Sequence, residues 1–259
     1  MATIGIFDSG VGGLSVYREI RKLLPRSSYI YYGDNANCPY GIKGPSFIIR
    51  RSREITEFLL DKGVDIVVVA CNTATSYAIE ELRGSFSIPF VGTVPGVKPA
   101  AMQTNTGVIG VLATYGTLNA PLYHKIRDFW GSNVKVVEHI GQGFVELVEE
   151  LDLNSKRAVD VVEMSVTPLV DKGADVLVLG CTHYPFLKDT IESVANRIKP
   201  ASTPNVAVYD SGPAIAKQVL HLLREANVSL DEANPTNEFF SSGSDVVTKR
   251  IVSSILDSK

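Results

Sequence analysis

Two cysteines, Cys71 and Cys181, stand 110 positions apart in matching surroundings. The segment KGVDIVVVACNTATSYAIEEL, from Lys62, aligns at that offset with KGADVLVLGCTHYPFLKDTIE, from Lys172, so that Lys, Gly, Asp and Cys all coincide. A lone cysteine is most often a small buried hydrophobe. A pair at equivalent points of a repeated segment asks for a different reading. Each follows a short β-branched run and precedes a helical stretch, where backbone N–H groups favour a thiolate. A free thiol ionises near pH 8.5, so both protonation states are accessible near neutrality. Two such groups suit a reaction that takes a proton from one face of a carbon and returns one to the opposite face. One thiolate abstracts while its partner thiol donates.

The neighbouring residue types fit a small anionic substrate. Asn72 and Thr73 follow the first cysteine, Thr182 and His183 the second, and backbone N–H groups at an opening helix bind carboxylates. Capping by the threonines is compatible with that role. His183 is placed to hold or exchange a proton with Cys181. The loop Asp8-Ser9-Gly10-Val11-Gly12-Gly13 lets backbone approach a ligand, with the Asp8 carboxylate facing an ammonium group and Ser9 offering a hydroxyl. A weaker echo, IGIFDS against IGVLAT, puts Thr114 where Ser9 stands, 105 positions earlier. Tyr40, in a Pro- and Gly-fixed loop, could close over a bound molecule. Rival chemistries fit less well. A metal centre needs three or four ligands, and only Cys181 and His183 are close in sequence, so no metal is read. Neither Cys-x-x-Cys nor G-x-G-x-x-G is present, which argues against disulfide exchange and a nucleotide cofactor. A cysteine hydrolase built on Cys181 and His183 would leave Cys71 idle, and a non-catalytic binding protein would not need both thiols.

These residues must be held by an α/β framework. Strands are predicted at 3–7, 29–32, 66–70, 90–92, 106–112, 134–138, 176–179 and 206–209, and helices at 14–24, 46–62, 75–83, 118–129, 155–172, 186–197 and 213–225. The alternation indicates parallel-rich sheets with ligands beyond the carboxyl ends of the strands. The repeat indicates two similar α/β domains related by pseudo-two-fold symmetry, with the active site in the cleft between them. The first is expected over 1–96 with 206–259, because Tyr209-Asp-Ser-Gly echoes Phe7-Asp-Ser-Gly, and the second over 97–205.

Composition sets the setting. Hydrophobic residues make up 45% and charged residues 20%, with a net charge of −3 and no block of like charge, so no nucleic-acid or membrane surface is indicated. The apolar runs are too short to span a bilayer, and the start lacks the pattern of a signal peptide. Three widely spaced cysteines do not form a disulfide framework, which points to a reducing cytoplasm.

Taken together, GIFDSGVGGLSV, YGDNANCPYG, ACNTAT, VLATYGT and GCTHYPFL resemble, in order and over essentially the whole chain, the glutamate branch of the cofactor-independent aspartate/glutamate racemase family. The resemblance implies interconversion of L- and D-glutamate without a cofactor, supply of D-glutamate for peptidoglycan, and frequently a homodimer. It makes Cys71 and Cys181 the two bases. Asp8, Ser9, Tyr40, Gly41, Asn72, Thr73, Thr114, Thr182 and His183 become the substrate shell, with Asp8 and His183 also assisting catalysis. The family's assisting glutamate falls at Glu149 or Glu150. The family loop commonly reads GDTARxPYG; here Asn35 and Asn37 replace the Thr and Arg, and Cys38 adds a third thiol with no counterpart in the other half. No Arg or Lys lies within the motifs that follow the strands, so hydroxyls, amides and N–H groups are expected to hold the substrate carboxylates.

Overall fold

The computed structural model describes residues 2–230 and 233–257. The chain forms two compact units, Met1–Thr93 with Gly212–Lys259, and Val94–Ser211. Within the first, the elements in order are β1 (Thr3–Asp8), α1 (Leu14–Leu23), β2 (Ser28–Gly33), α2 (Pro45–Asp61), β3 (Ile66–Val69), α3 (Asn72–Ser85) and β4 (Phe90–Gly92). The second unit contains α4 (Val97–Gln103), β5 (Val108–Ala113), α5 (Tyr115–Leu118), α6 (Pro121–Trp130), β6 (Lys135–Ile140), α7 (Phe144–Glu149), α8 (Lys156–Val170), β7 (Val176–Gly180), α9 (Lys188–Ile198) and β8 (Ala207–Tyr209). The chain then returns to the first unit with α10 (Gly212–Glu225), β9 (Asn237–Ser241) and α11 (Asp245–Asp257).

Both sheets are wholly parallel. Their orders are β4-β3-β1-β2-β9 and β6-β5-β7-β8. Read from the other edge, the first is β2-β1-β3-β4 with β9 added beyond β2, so the two units share one strand order. Chain direction reverses across the sheet between β1 and β3, and again between β5 and β7. Such a switch point opens a crevice at the carboxyl ends of the strands. The strands at these points are covered on both faces and read as unbroken apolar runs. All four residues of β3, Ile-Val-Val-Val, are buried, each contributing on the order of 1.5–3 kcal/mol. In the first unit α1 packs on α10 and α2 on α3; in the second α4 packs on α6 and α8 on α9.

The repeated Lys-Gly-x-Asp has a structural meaning. Gly63 and Gly173 lie just beyond α2 and α8 with φ of +78° and +89°. In that left-handed region a side chain is strained, and glycine ends a helix there most easily. The aspartate two residues later then anchors the start of the neighbouring central strand. Thr3 N–H donates to Asp65 Oδ2 at 2.7 Å. The Asn105 and Thr106 N–H groups donate to Asp175 Oδ2 at 2.7 and 3.1 Å.

Three sequence expectations change. The strand at 206–209 does not return to the first unit: β8 pairs with β7, Val176 opposite Ala207. The Asn196 amide clasps the lead-in residue Val206, accepting its N–H at 2.9 Å and donating to its carbonyl at 3.0 Å. The predicted helix 118–129 is split, α5 ending at Leu118 and α6 starting at Pro121, whose missing N–H and fixed φ favour the first position of a helix. α4, α7, β9 and α11 were not predicted. Among the described residues no helix is long and apolar enough to cross a membrane.

Candidate active site

In the first unit the switch point is built from the ends of β1 and β3. Phe7 is registered against Val69, which brings Ser9 level with Cys71. The Cys71 thiol donates toward Ser9 Oγ at 3.6 Å. Cys71 is itself the cap of α3: its sulfur accepts the Ala74 N–H at 3.4 Å, and Asn72 opens the helix. An N–H aimed at the sulfur, at the positive end of a helix of 14 residues, stabilises negative charge there. Asn72 and Thr73 are buried in the first turn. Asn72 Nδ2 has no hydrogen-bond partner among the described residues; a buried donor left unmade is costly, so this one is suited to an incoming acceptor. Asp8 is buried and accepts the Gly10 N–H at 2.9 Å. The reason for Gly13 is close packing within the protein: a Cβ there would lie 2.6 Å from Asp8 Cβ.

Tyr40 and Gly41 share a single 3-10 turn, Tyr40–Ile42, that packs against α3. The Tyr40 ring is buried and its hydroxyl donates to Asp34 Oδ2 at 2.7 Å. Burial, that hydrogen bond, and the negative charges of Asp34 and of a Cys71 thiolate push its pKa far above the phenol range, with Arg51 opposing. Asp34 was not among the candidates. Burial alone would raise its carboxyl, but hydrogen bonds from Arg51, Ser242, Tyr40 and Asn37 hold it below the ordinary carboxylate value.

The second unit repeats the frame with different chemistry. Ala113 is registered against Gly180, which brings Thr114 level with Cys181. Thr114 caps α5, accepting the Thr117 N–H at 3.3 Å. Cys181, Thr182 and His183 are buried. No α-helix opens after Cys181, contrary to expectation: the Cys181 carbonyl accepts the Tyr184 N–H at 3.1 Å in a turn, followed by a 3-10 segment, Tyr184–Leu187. Pro185 disfavours a helical conformation at the residue before it, which delays α9 to Lys188. The partner of this thiol is therefore an imidazole. Cys181 Sγ lies 3.8 Å from His183 Nδ1, and His183 Nε2 lies 2.8 Å from Glu149 Oε1.

That last contact separates the two glutamates. Glu149 ends α7 against His183, while Glu150 is exposed and paired with Arg157. With Nε2–H donating to the Glu149 carboxylate, Nδ1 keeps a lone pair toward the thiol and can take its proton. Tyr184 supports the wall from behind, donating to the Gly141 carbonyl at 3.2 Å. Its pKa stands well above the phenol range through burial and the negative charges of Cys181 and Glu146. Cys38 is half-buried, before the cis peptide to Pro39.

Sequence reasoning missed Asp34 and Arg51. Asp34 directly follows β2, at the carboxyl end of a strand, a position that could have flagged it. Arg51 lies on α2, 17 positions away, with no local signal.

Comparison with known proteins gives a consistent result. A family model described as Asp/Glu/Hydantoin racemase matches residues 4–219. A glutamate racemase of Herpetosiphon aurantiacus is 48% identical over 225 residues, covering 87% of this chain and 86% of its own. Among solved structures, an Escherichia coli glutamate racemase in complex with L-glutamate and the activator UDP-MurNAc-Ala matches with a TM-score of 0.86 at 34% identity, covering 98% of this chain and 94% of that one. A Francisella tularensis glutamate racemase in complex with D-glutamate matches with a TM-score of 0.82 at 27% identity, covering 100% of this chain and 94% of that one.

Proposed function

The chain belongs to the Asp/Glu/hydantoin racemase family, and from that premise we propose that it interconverts L- and D-glutamate, Cys71 serving one face of the α-carbon and Cys181 the other. The observation that carries this reading is the placement of one thiol at the switch point of each of two sheets with the same strand order. Relatives carry L-glutamate or D-glutamate in their solved structures, which supports the choice of substrate.

The proton count is simple. One cysteine, as thiolate, takes the α-proton; the C–H bond breaks, an S–H bond forms, and the electron pair stays on carbon beside the carboxylate. The other cysteine, as thiol, delivers its proton to the opposite face. The two sulfurs end in exchanged protonation states. At Cys71 the Ala74 N–H supports the anion; at Cys181 the His183–Glu149 pair can hold the proton between turnovers. Asp8 offers its carboxylate to the substrate ammonium, and Asn72 its free amide donor to a carboxylate. The remaining shell, Ser9, Tyr40, Gly41, Thr73, Thr114, Thr182 and His183, completes the site. The chemistry needs no cofactor, and its D-product supplies peptidoglycan synthesis. Family resemblance adds two expectations, a cytoplasmic working place and a homodimer.

The test is α-proton exchange in heavy water, followed by NMR on each enantiomer without added cofactor, with chiral chromatography of the products. Exchange and racemisation of both glutamate enantiomers are expected. Comparable turnover of aspartate would overturn the substrate assignment, and absence of exchange would overturn the reaction.

A further inference from the structure

The Asp34 carboxylate is buried and fully engaged. Arg51 meets it side-on, Nε to Oδ2 and Nη2 to Oδ1, both at 2.9 Å. Asn37 Nδ2 donates to its two oxygens at 3.2 and 3.1 Å. Tyr40 donates to Oδ2 at 2.7 Å. Arg51 is fixed in turn, since Nη2 also reaches the Tyr32 hydroxyl and Nη1 reaches Glu54 Oε2, each at 2.9 Å. A bidentate guanidinium beside a buried carboxylate keeps it ionised, and an ionised carboxylate can only accept hydrogen bonds. The hydroxyl hydrogen of Tyr40 is therefore committed to Asp34.

We infer that Asp34 is a positioning residue that sets the polarity of Tyr40, so that the Tyr40 oxygen meets the substrate only as an acceptor and takes a hydrogen bond from its α-ammonium group. The step follows from the inventory of donors. A glutamate dianion has two carboxylates, which accept, and one ammonium, which donates. A phenol whose hydrogen is already spent has nothing to give a carboxylate. Tyr40 thus joins Asp8 on the ammonium side of the site, while N–H groups and the Asn72 amide serve the carboxylates. Asn37 is part of the same device, donating to Asp34. The inference rests on the proposed glutamate substrate.

The experiment compares glutamate with glutarate, the same dicarboxylate without the amine, by competitive inhibition and direct titration of the intact enzyme. Wild type, Tyr40→Phe and Asp34→Asn are measured, with thermal melts alongside. Tyr40→Phe removes one hydrogen bond to a charged group, and glutamate affinity should fall about ten- to a hundredfold, while glutarate affinity changes less than about twofold. Asp34→Asn, by releasing the tyrosine hydrogen, should weaken glutamate binding and leave glutarate binding unchanged or improved. If Tyr40→Phe weakens glutarate as much as glutamate, the hydroxyl is a donor to carboxylate and the inference fails. If neither ligand responds to Tyr40→Phe, the phenol does not touch substrate and the inference fails as well. Should Asp34→Asn not fold, Tyr40→Phe alone decides, since it keeps the buried ring. A wild-type enzyme that binds neither glutamate nor glutarate but racemises another amino acid would instead refute the substrate reading.

Discussion

Replacing each cysteine by serine separates the two halves of the proton transfer. A thiol ionises near 8.5 and a hydroxyl near the 15.7 of water, a gap of roughly seven units, or about 10 kcal/mol for forming the anion. The Ala74 N–H that reaches Cys71 at 3.4 Å and Ser9 Oγ at 3.6 Å survive the change. They return at most about 1–3 kcal/mol, so abstraction at position 71 should fall by at least the factor of about 10⁴ that general-base catalysis can supply. Position 181 differs. A serine there keeps His183 behind it, with Glu149 orienting the ring, an arrangement able to activate a hydroxyl. Cys181→Ser should therefore retain more residual abstraction than Cys71→Ser. Full racemisation needs both groups and hides this difference. A 3-chloro analogue of glutamate exposes it, because abstraction is followed by loss of chloride without reprotonation. Elimination is read by ammonia release from each enantiomer separately. Cys71→Ser should eliminate from one enantiomer, Cys181→Ser from the other, with a visible residue of the lost activity only in the latter. If both variants eliminate from both enantiomers at similar rates, the two-thiol mechanism is wrong.

Three further outcomes are expected. Glu149→Gln should lower elimination from the chloro-enantiomer whose proton Cys181 takes by ten- to a hundredfold more than from the other, whereas Glu150→Gln, at an exposed pair with Arg157, should leave both near wild type; ammonia release from each enantiomer checks this. Cys38→Ser should keep most activity, since that thiol has no counterpart in the repeated segment of the second unit; a loss as large as that of Cys71→Ser would show the bases to be misassigned. Asp175→Ala should cost about 2 kcal/mol, because charge-assisted bonds from Thr104, Asn105 and Thr106 are lost. Burial works to raise that carboxyl, but those bonds hold its pKa below the ordinary value; its contribution is therefore present above the unfolded carboxylate pKa of about 3.9 and lost as pH falls through the lower folded value. Melting curves of variant and wild type should differ at pH 7 and converge in acid.

What could be read in the sequence was whatever local composition or repetition encodes. Ile66–Val69 and Val176–Gly180 announce buried parallel strands because both faces are covered. Lys-Gly-x-Asp recurs because each copy needs a left-handed helix end and an anchor for the next strand. What escaped depends on contacts distant in the chain. β9 begins with exposed Asn237 and Glu238, and its Phe239 and Phe240 find their partners on Tyr17 and Phe58. Arg51 reaches Asp34 only once α2 has packed. Which of Glu149 and Glu150 meets His183 depends on which way a short helix presents its last turn, and adjacent positions face about 100° apart.

The differences between the two copies are as informative as the repeat. Equivalent strands deliver a thiol, yet Cys71 is held by a helix N–H and a serine, and Cys181 by an imidazole backed by a carboxylate. A racemase needs equal access to both faces of the α-carbon, but its substrate is not symmetric: ammonium, carboxylate and side chain are fixed in space while only the proton changes face. Two identical shells would compete for the same substrate groups. On the function proposed above the work is divided, Asp8, Tyr40 and the Asn72 amide of the first unit holding the substrate and His183 and Glu149 of the second holding a proton. It follows that exchanging the shells is not neutral. Introducing His at Thr73, the position matching His183, would place an imidazole in the first turn of α3 where Thr73 is already buried. The added bulk should weaken glutamate binding without gain in abstraction by Cys71, and a rise in KM with no rise in kcat from either enantiomer is the expected reading. A variant that gained kcat would show that the thiol, not substrate placement, limits this half of the site.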